Sequence, residues 1–299
     1  MADTRKSPRG SNLGRRGRAY VGISGYDYKP WHGVFYPAEL ARRRWLEYAA
    51  GRFNSIELNG TFYSLKSPTL FARWMSEVRS EEFVFAIKGS RFITHNLKLR
   101  NSTHALGNFF SSGILALGRM TGPFLWQLPA TYAFDAERME TFMRMLPWSS
   151  REGEQVAAHH DHRIRFEPLL HAPEDVVYRH AFEVRHESYF CDEFYDLLRA
   201  NQCAFVVADT AGTFPYAEEV TSDFVYIRLH GSQQLYVSGY SDDELDTWAT
   251  KIRRWLRSGR DVYVYFDNDA KVHAPFDAER LAKRMRSALQ VSSDARRVR

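Results

Sequence analysis

The sequence predicts an α/β fold: a TIM-type (β/α) barrel, with parallel strands inside a layer of helices. Three observations predict it. Eight short runs rich in β-branched or aromatic residues recur along the chain. Amphipathic stretches separate most of them, which implies right-handed βαβ crossovers and a parallel sheet. The eight units occupy residues 19–290, the size such a barrel needs. An open doubly wound sheet would carry a glycine-rich phosphate fingerprint after its first strand. Here that turn reads GISGYDYKPWHGVFYP, with neither a GxGxxG spacing nor a helix start in the right place.

The expected strands, in order, are 20–25 (YVGISG), 55–59 (SIELN), 83–88 (FVFAIK), 123–128 (PFLWQL), 181–185 (AFEVR), 203–208 (CAFVVA), 224–229 (FVYIRL) and 261–266 (DVYVYF). The expected helices cover 38–51, 68–79, 103–119, 135–146, 190–200, 242–258 and 277–290. The link between the sixth and seventh strands, 210–223, is short and carries little helix signal. Residues 148–179 form a long insertion containing His159, His160 and His162 beside Asp161. Adjacent residues cannot converge on one ion from a helix or strand face, so this tract reads as a polar surface helix.

Composition narrows the class. With 44% hydrophobic and 26% charged residues, the 299-residue chain can bury a core. No apolar run reaches the roughly 18 residues of a membrane span. Cys191 and Cys203 are too few for a disulfide framework or a zinc-finger ligand set. No apolar signal core opens the chain, so a cytoplasmic protein is expected. The pI of about 9.1 suggests a polyanion partner. The positive charge, however, is terminal. Residues 1–18 hold six cations against Asp3, a surplus equal to the whole net charge of +5. A disordered basic N-terminal tail over 1–18, a barrel domain over 19–290 and a basic C-terminal tail over 291–299 are therefore expected. A nucleic-acid partner is expected to be held through the basic tail.

Catalysis on such a barrel sits at the carboxyl ends of the strands. Strand residues at i and i+2 share a face. Glu57 with Asn59, Glu183 with Arg185, and Arg228 with His230 are such pairs, and the intervening Leu58, Val184 and Leu229 suit the helix side. Lys88, Gln127, Asp209 and Asn268 fall at or just beyond other strand ends, and Tyr63 follows the second strand. Buried charges of both signs must pair or hold a charged ligand. Two carboxylates and a histidine suit acid–base work or a divalent metal; the cations suit a phosphate or carboxylate. The aromatic loop after the first strand, with Tyr26 and Trp31, either walls a pocket or packs over the barrel end.

The ordered segments GISGYDYKPWHGVFYP, FNSIELNGTFYSL, FAIKGSRFITH, WQLP, FEVRHESY, VADTAG, YIRLHG and YVYFDND…AP resemble the motifs of the YecE-like family, built around domain of unknown function 72, over about residues 20–290. The resemblance implies a TIM-type barrel and supplies no reaction. Its motif positions fall here on Glu57, Asn59, Thr61, Tyr63, Lys88, His95, Gln127, Glu183, Arg185, His186, Asp209, Arg228, His230 and Asn268. Tyr189 stands where the family carries Trp, and Asp267 where it carries Asn.

Three functions follow as expectations. The first is an enzyme for a small anionic polar substrate, with Glu57, Glu183 and His230 as catalytic groups. In it Asn59, Tyr63, Lys88, Gln127, Arg185, Arg228, Asp209, Asn268, Tyr26 and Trp31 bind the substrate. The second is a nucleic-acid phosphodiesterase or nucleic-acid-binding barrel anchored by its tail. The third is a non-catalytic scaffold whose mouth charges pair with one another. The identity of any cofactor, a divalent metal included, stays open.

Overall fold

The computed structural model describes residues 16–297, with side chains as far as Arg286. Eight strands close into a ring: β1 (Ala19–Ser24), β2 (Ser55–Leu58), β3 (Val84–Lys88), β4 (Thr121–Gln127), β5 (His180–Glu183), β6 (Ala204–Asp209), β7 (Phe224–Leu229) and β8 (Asp261–Phe266). Each pairs in parallel with the next, and β8 pairs with β1. Around the ring lie α1 (Trp45–Ala50), α2 (Gly60–Tyr63), α3 (Pro68–Ser76), α4 (Thr103–Ser111), α5 (Ala136–Met145), α6 (Ser150–Ala157), α7 (Asp192–Ala200), α8 (Asp242–Arg257) and α9 (His273–Arg297). The fold is an α/β TIM-type barrel, as the pattern of runs predicts.

Period-two alternation builds two cores. Residues such as Ile56, Phe85, Phe124, Phe182, Ile227 and Val264 face the helices. Ala86, Leu125, Ala181, Val206, Phe224, Tyr226, Tyr263 and Tyr265 fill the barrel interior. The inner layers need one small residue where β1 meets β2: a Cβ on Gly22 would lie 1.8 Å from the Ser55 carbonyl oxygen. Above the apolar layers the inward positions turn polar, which sets the site.

Several boundaries differ from the sequence reading. The stretch 38–51 is helical only from Trp45, after a 3-10 turn at Arg42–Arg44, because Trp45, Leu46 and Ala49 are the residues that pack inward. The stretch 103–119 breaks at Gly113, whose φ of +123° cannot continue a helix, and resumes as a 3-10 segment. The short α2 and the Ser149-capped α6 were not expected. α8 begins with a full capping box, Ser241 with Glu244. The tract at 159–162 is a turn after α6 and not the expected surface helix.

Of the N-terminal tail expected over 1–18, residues 1–15 lie outside the described residues. Gly17 donates to the Leu256 carbonyl and the Arg18 amide to Asp261, so the last tail residues already belong to the body. At the other end α9 runs on through the expected tail as far as Arg297. No described helix is long and apolar enough to cross a membrane.

Candidate functional site

Inward alternation brings Ser24, Glu57, Lys88, Gln127, Glu183 and Arg228 to the C-terminal ends of β1, β2, β3, β4, β5 and β7, with Asp267 just past β8. The centre of this mouth is Arg228, which is fully buried. Its guanidinium donates to Glu57 (2.9 and 3.2 Å), Glu183 (2.7 Å), Asp267 (2.8 Å) and Ser24 (2.9 Å). Glu57 also accepts from Tyr226 at 2.6 Å and from the Ser24 hydroxyl. Glu183 accepts two further bonds from Arg185, at 2.9 and 3.1 Å. His230, just past the end of β7, has Nδ1 3.0 Å from Asp267.

The electrostatics follow from this pairing. Burial pushes Glu183 upward, but Arg228 and Arg185 outweigh it and hold it well below the usual carboxylate range. Asp267 behaves likewise, with Arg228 and His230 outweighing burial. Burial alone would lower the Arg228 pKa; its three carboxylates raise it instead. The mouth is thus a compensated network around one guanidinium. Such networks fix geometry and are costly to break.

Lys88 departs from this pattern. It is 8% exposed, and its ammonium sits 4.7 Å from the centre of the Phe62 ring, with no carboxylate bonded to it among the described residues. Burial, and then Arg228, lower its pKa to about 8. Beside Phe62 stands His95, lowered to about 4 by burial and by Lys88, and therefore neutral at pH 7. Arg185 forms the rim, between Tyr236 and the Phe214 ring.

Some expected residues leave the mouth. Asp209 and Asn268 are one position out of phase with the inward set. Asp209 accepts from Tyr240 at 3.0 Å, and Asn268 is tied to Asp277 and the Ser238 carbonyl on the helix side. Trp31 is fully buried against Tyr28, Phe35 and Tyr36, so the aromatic loop mainly packs over the barrel end. Tyr63 is 75% exposed and, with Tyr26, lines a separate cleft outside the ring; Asn59 lines that cleft as well while its amide donates to Ser24 of the mouth at 2.8 Å. Gln127 stays in the mouth, buried.

The sequence reading missed Ser24, Tyr226, Tyr236, Phe62 and Phe214. Ser24 and Tyr226 carry the same signal as the acids: each lies two positions from another inward residue, Gly22 or Arg228. The other three sit in loops or short turns, which no period reports. Among the described residues no group of three or more His, Cys, Asp or Glu is disposed to hold a metal. The mouth carboxylates are instead committed to Arg228.

A closed eight-stranded parallel barrel with a polar C-terminal mouth places the chain among TIM-type barrel proteins. Within that class it belongs to the family described as protein of unknown function DUF72, which matches residues 20–298. Among its relatives, the UPF0759 protein YunF of Bacillus subtilis is 21% identical over 84% of this chain and 89% of its own. The UPF0759 protein YecE of Escherichia coli is 26% identical over 46% of this chain and 47% of its own. A DUF72 family protein from Thermotoga maritima superposes with a TM-score of 0.70 at 25% identity, over 89% of this chain and 98% of that one. Another, from Enterococcus faecalis, shares the fold at a TM-score of 0.65 and 14% identity, over 90% of this chain and 95% of that one.

Proposed function

We propose that this barrel is an enzyme acting on a small anionic polar substrate, of the sugar-phosphate kind, at its C-terminal mouth. One observation carries the reading: Lys88 is a nearly buried cation with no carboxylate hydrogen-bonded to it, set beside a network whose other charges are matched. A buried ammonium resting only on an aromatic face is short of an anion. An incoming phosphate or carboxylate supplies it, with Arg185 offering a guanidinium edge at the rim.

In this reading Glu57 and Glu183 act as counter-ions that orient Arg228 and Arg185, and His230 with Asp267, just past the ends of β7 and β8, braces them. The Lys88 ammonium is one of the groups that hold His95 neutral; an anion bound to Lys88 offsets it, and His95, beside Phe62, is then the group placed to accept a proton from the substrate. Gln127 contributes an amide to the substrate's hydroxyls.

The test is calorimetric titration of the purified protein with a panel of sugar phosphates and hydroxy acids, on wild type and Lys88→Met. At least one ligand should bind saturably, and the variant should weaken it by roughly tenfold or more, the worth of one charge-assisted contact. If no anion of the panel binds at millimolar concentration, or if Lys88→Met binds equally well, the reading fails. Turnover of the bound ligand, lost in His95→Gln with binding retained, separates an enzyme from a scaffold.

A further inference from the structure

The cleft lined by Tyr63, Tyr26 and Asn59 has a volume of about 630 Å³. It lies between the first two βα units, with Arg42 and Arg43 on one side and Lys66, Arg73 and Trp74 on the other. A cavity of that size suits a small ligand. Its charges are unbalanced. Arg42 is spent on Asp27 by two bonds of 2.7 Å, and Arg73 on Glu77 at 2.7 Å. Arg43 and Lys66 make no ion pair among the described residues; Lys66 donates only to the Ser64 hydroxyl, at 2.8 Å. Two cations therefore face this cleft without anions.

A further feature describes what would fill it. Tyr63 presents its ring at 75% exposure on the cleft wall, braced edge-on by Phe62. A rigid aromatic face beside free cations suits a planar ring that carries an anionic group. Asn59 is pinned through its amide nitrogen to Ser24 at 2.8 Å, and its Oδ1 is buried without any hydrogen-bond partner. That oxygen is closed off from the cleft and takes no ligand contact; Asn59 instead ties the cleft to the mouth.

We infer that this cleft is a second binding site, distinct from the barrel mouth, for a ring-bearing anion of the nucleoside monophosphate class: the aromatic base against Tyr63 and the phosphate between Arg43 and Lys66. The site stands on its own residues and needs no anion at Lys88. Occupancy would nonetheless reach the mouth, since Asn59 bonds Ser24 and Ser24 bonds Glu57 and Arg228.

Adenosine 5′-monophosphate is the probe, titrated into the full chain by calorimetry, with ribose 5-phosphate alongside. Wild type should bind the nucleotide saturably; in Lys88→Met, where the mouth no longer takes a sugar phosphate, ribose 5-phosphate should bind more weakly than the nucleotide, because it lacks the aromatic base. Combining Arg43→Ala with Lys66→Met should weaken the nucleotide by tenfold or more. Tyr63→Ala should weaken it several-fold and abolish the preference for the nucleotide. These are surface or half-buried positions, and unchanged melting temperatures would show that the variants fold. Lys88→Met should leave the affinity unchanged. Absence of saturable binding up to about 10 mM, equal affinity in the double variant, or a loss in Lys88→Met would each overturn the inference. Because the mouth is read through Lys88 and the cleft through Arg43 and Lys66, either proposal can fail while the other holds.

Discussion

The mouth and the cleft lie side by side, joined through Asn59 and Ser24, yet they handle charge in opposite ways. In the mouth three carboxylates converge on Arg228, and nearly every polar atom is spoken for. In the cleft the cations stand near solvent, and two of them have no acid among the described residues. The difference teaches that burial dictates pairing. A charge on an inward strand position loses its water and must find a partner within the barrel. A charge on a loop keeps its water and can wait for a ligand. Lys88 is the informative exception, buried like the first group and unpaired like the second.

The largest effect should come from the centre of the mouth. Arg228→Met strands three buried acids and should cost about 3–5 kcal/mol in urea unfolding, whereas Arg43→Ala should cost nothing measurable. Similar values for the two would erase the contrast. Acid titration comes next. Glu183 and Asp267 are held below their unfolded pKa values, so the native state binds fewer protons than the unfolded chain. Their stabilisation is complete above the unfolded carboxylate range, about pH 4–4.5, and should drain away as pH falls below it. A melting temperature indifferent to pH between about 5 and 3 would contradict the network.

Asn268→Ala, on the helix side, should lose about 1–3 kcal/mol of stability while leaving ligand affinity at the mouth intact, since its two bonds are structural. An affinity loss without a stability loss would return Asn268 to the site. The smallest effect belongs to Lys88. Its folded pKa of about 8 lies below the ordinary lysine value, so the cost of holding it charged is fully present below pH 8. Stability should therefore rise modestly from pH 8 toward pH 10 relative to Lys88→Met. Parallel curves for the two proteins would mean that the amine is not desolvated.

Much of this was legible in the chain. The eight strand runs, the period-two pairs Glu57 with Asn59, Glu183 with Arg185 and Arg228 with His230, and the surplus of cations within residues 1–18 follow from local pattern alone. The same rule went astray by one residue at Asp209 and Asn268, because strand ends blur and a shift of one position exchanges the two faces. Trp31 and Tyr63 could not be sorted. An aromatic in a loop has no period, and whether it packs or faces solvent depends on which helix arrives above it. By itself the sequence determined the barrel and the polar character of its rim, since alternation and burial are properties of neighbouring residues. Tertiary structure alone decided which carboxylate meets which guanidinium, that Lys88 meets none, and that Tyr63 opens onto a second cavity. Those outcomes depend on closing a ring that brings β2, β5, β7 and β8 together from opposite ends of the chain, and no local pattern encodes that distance.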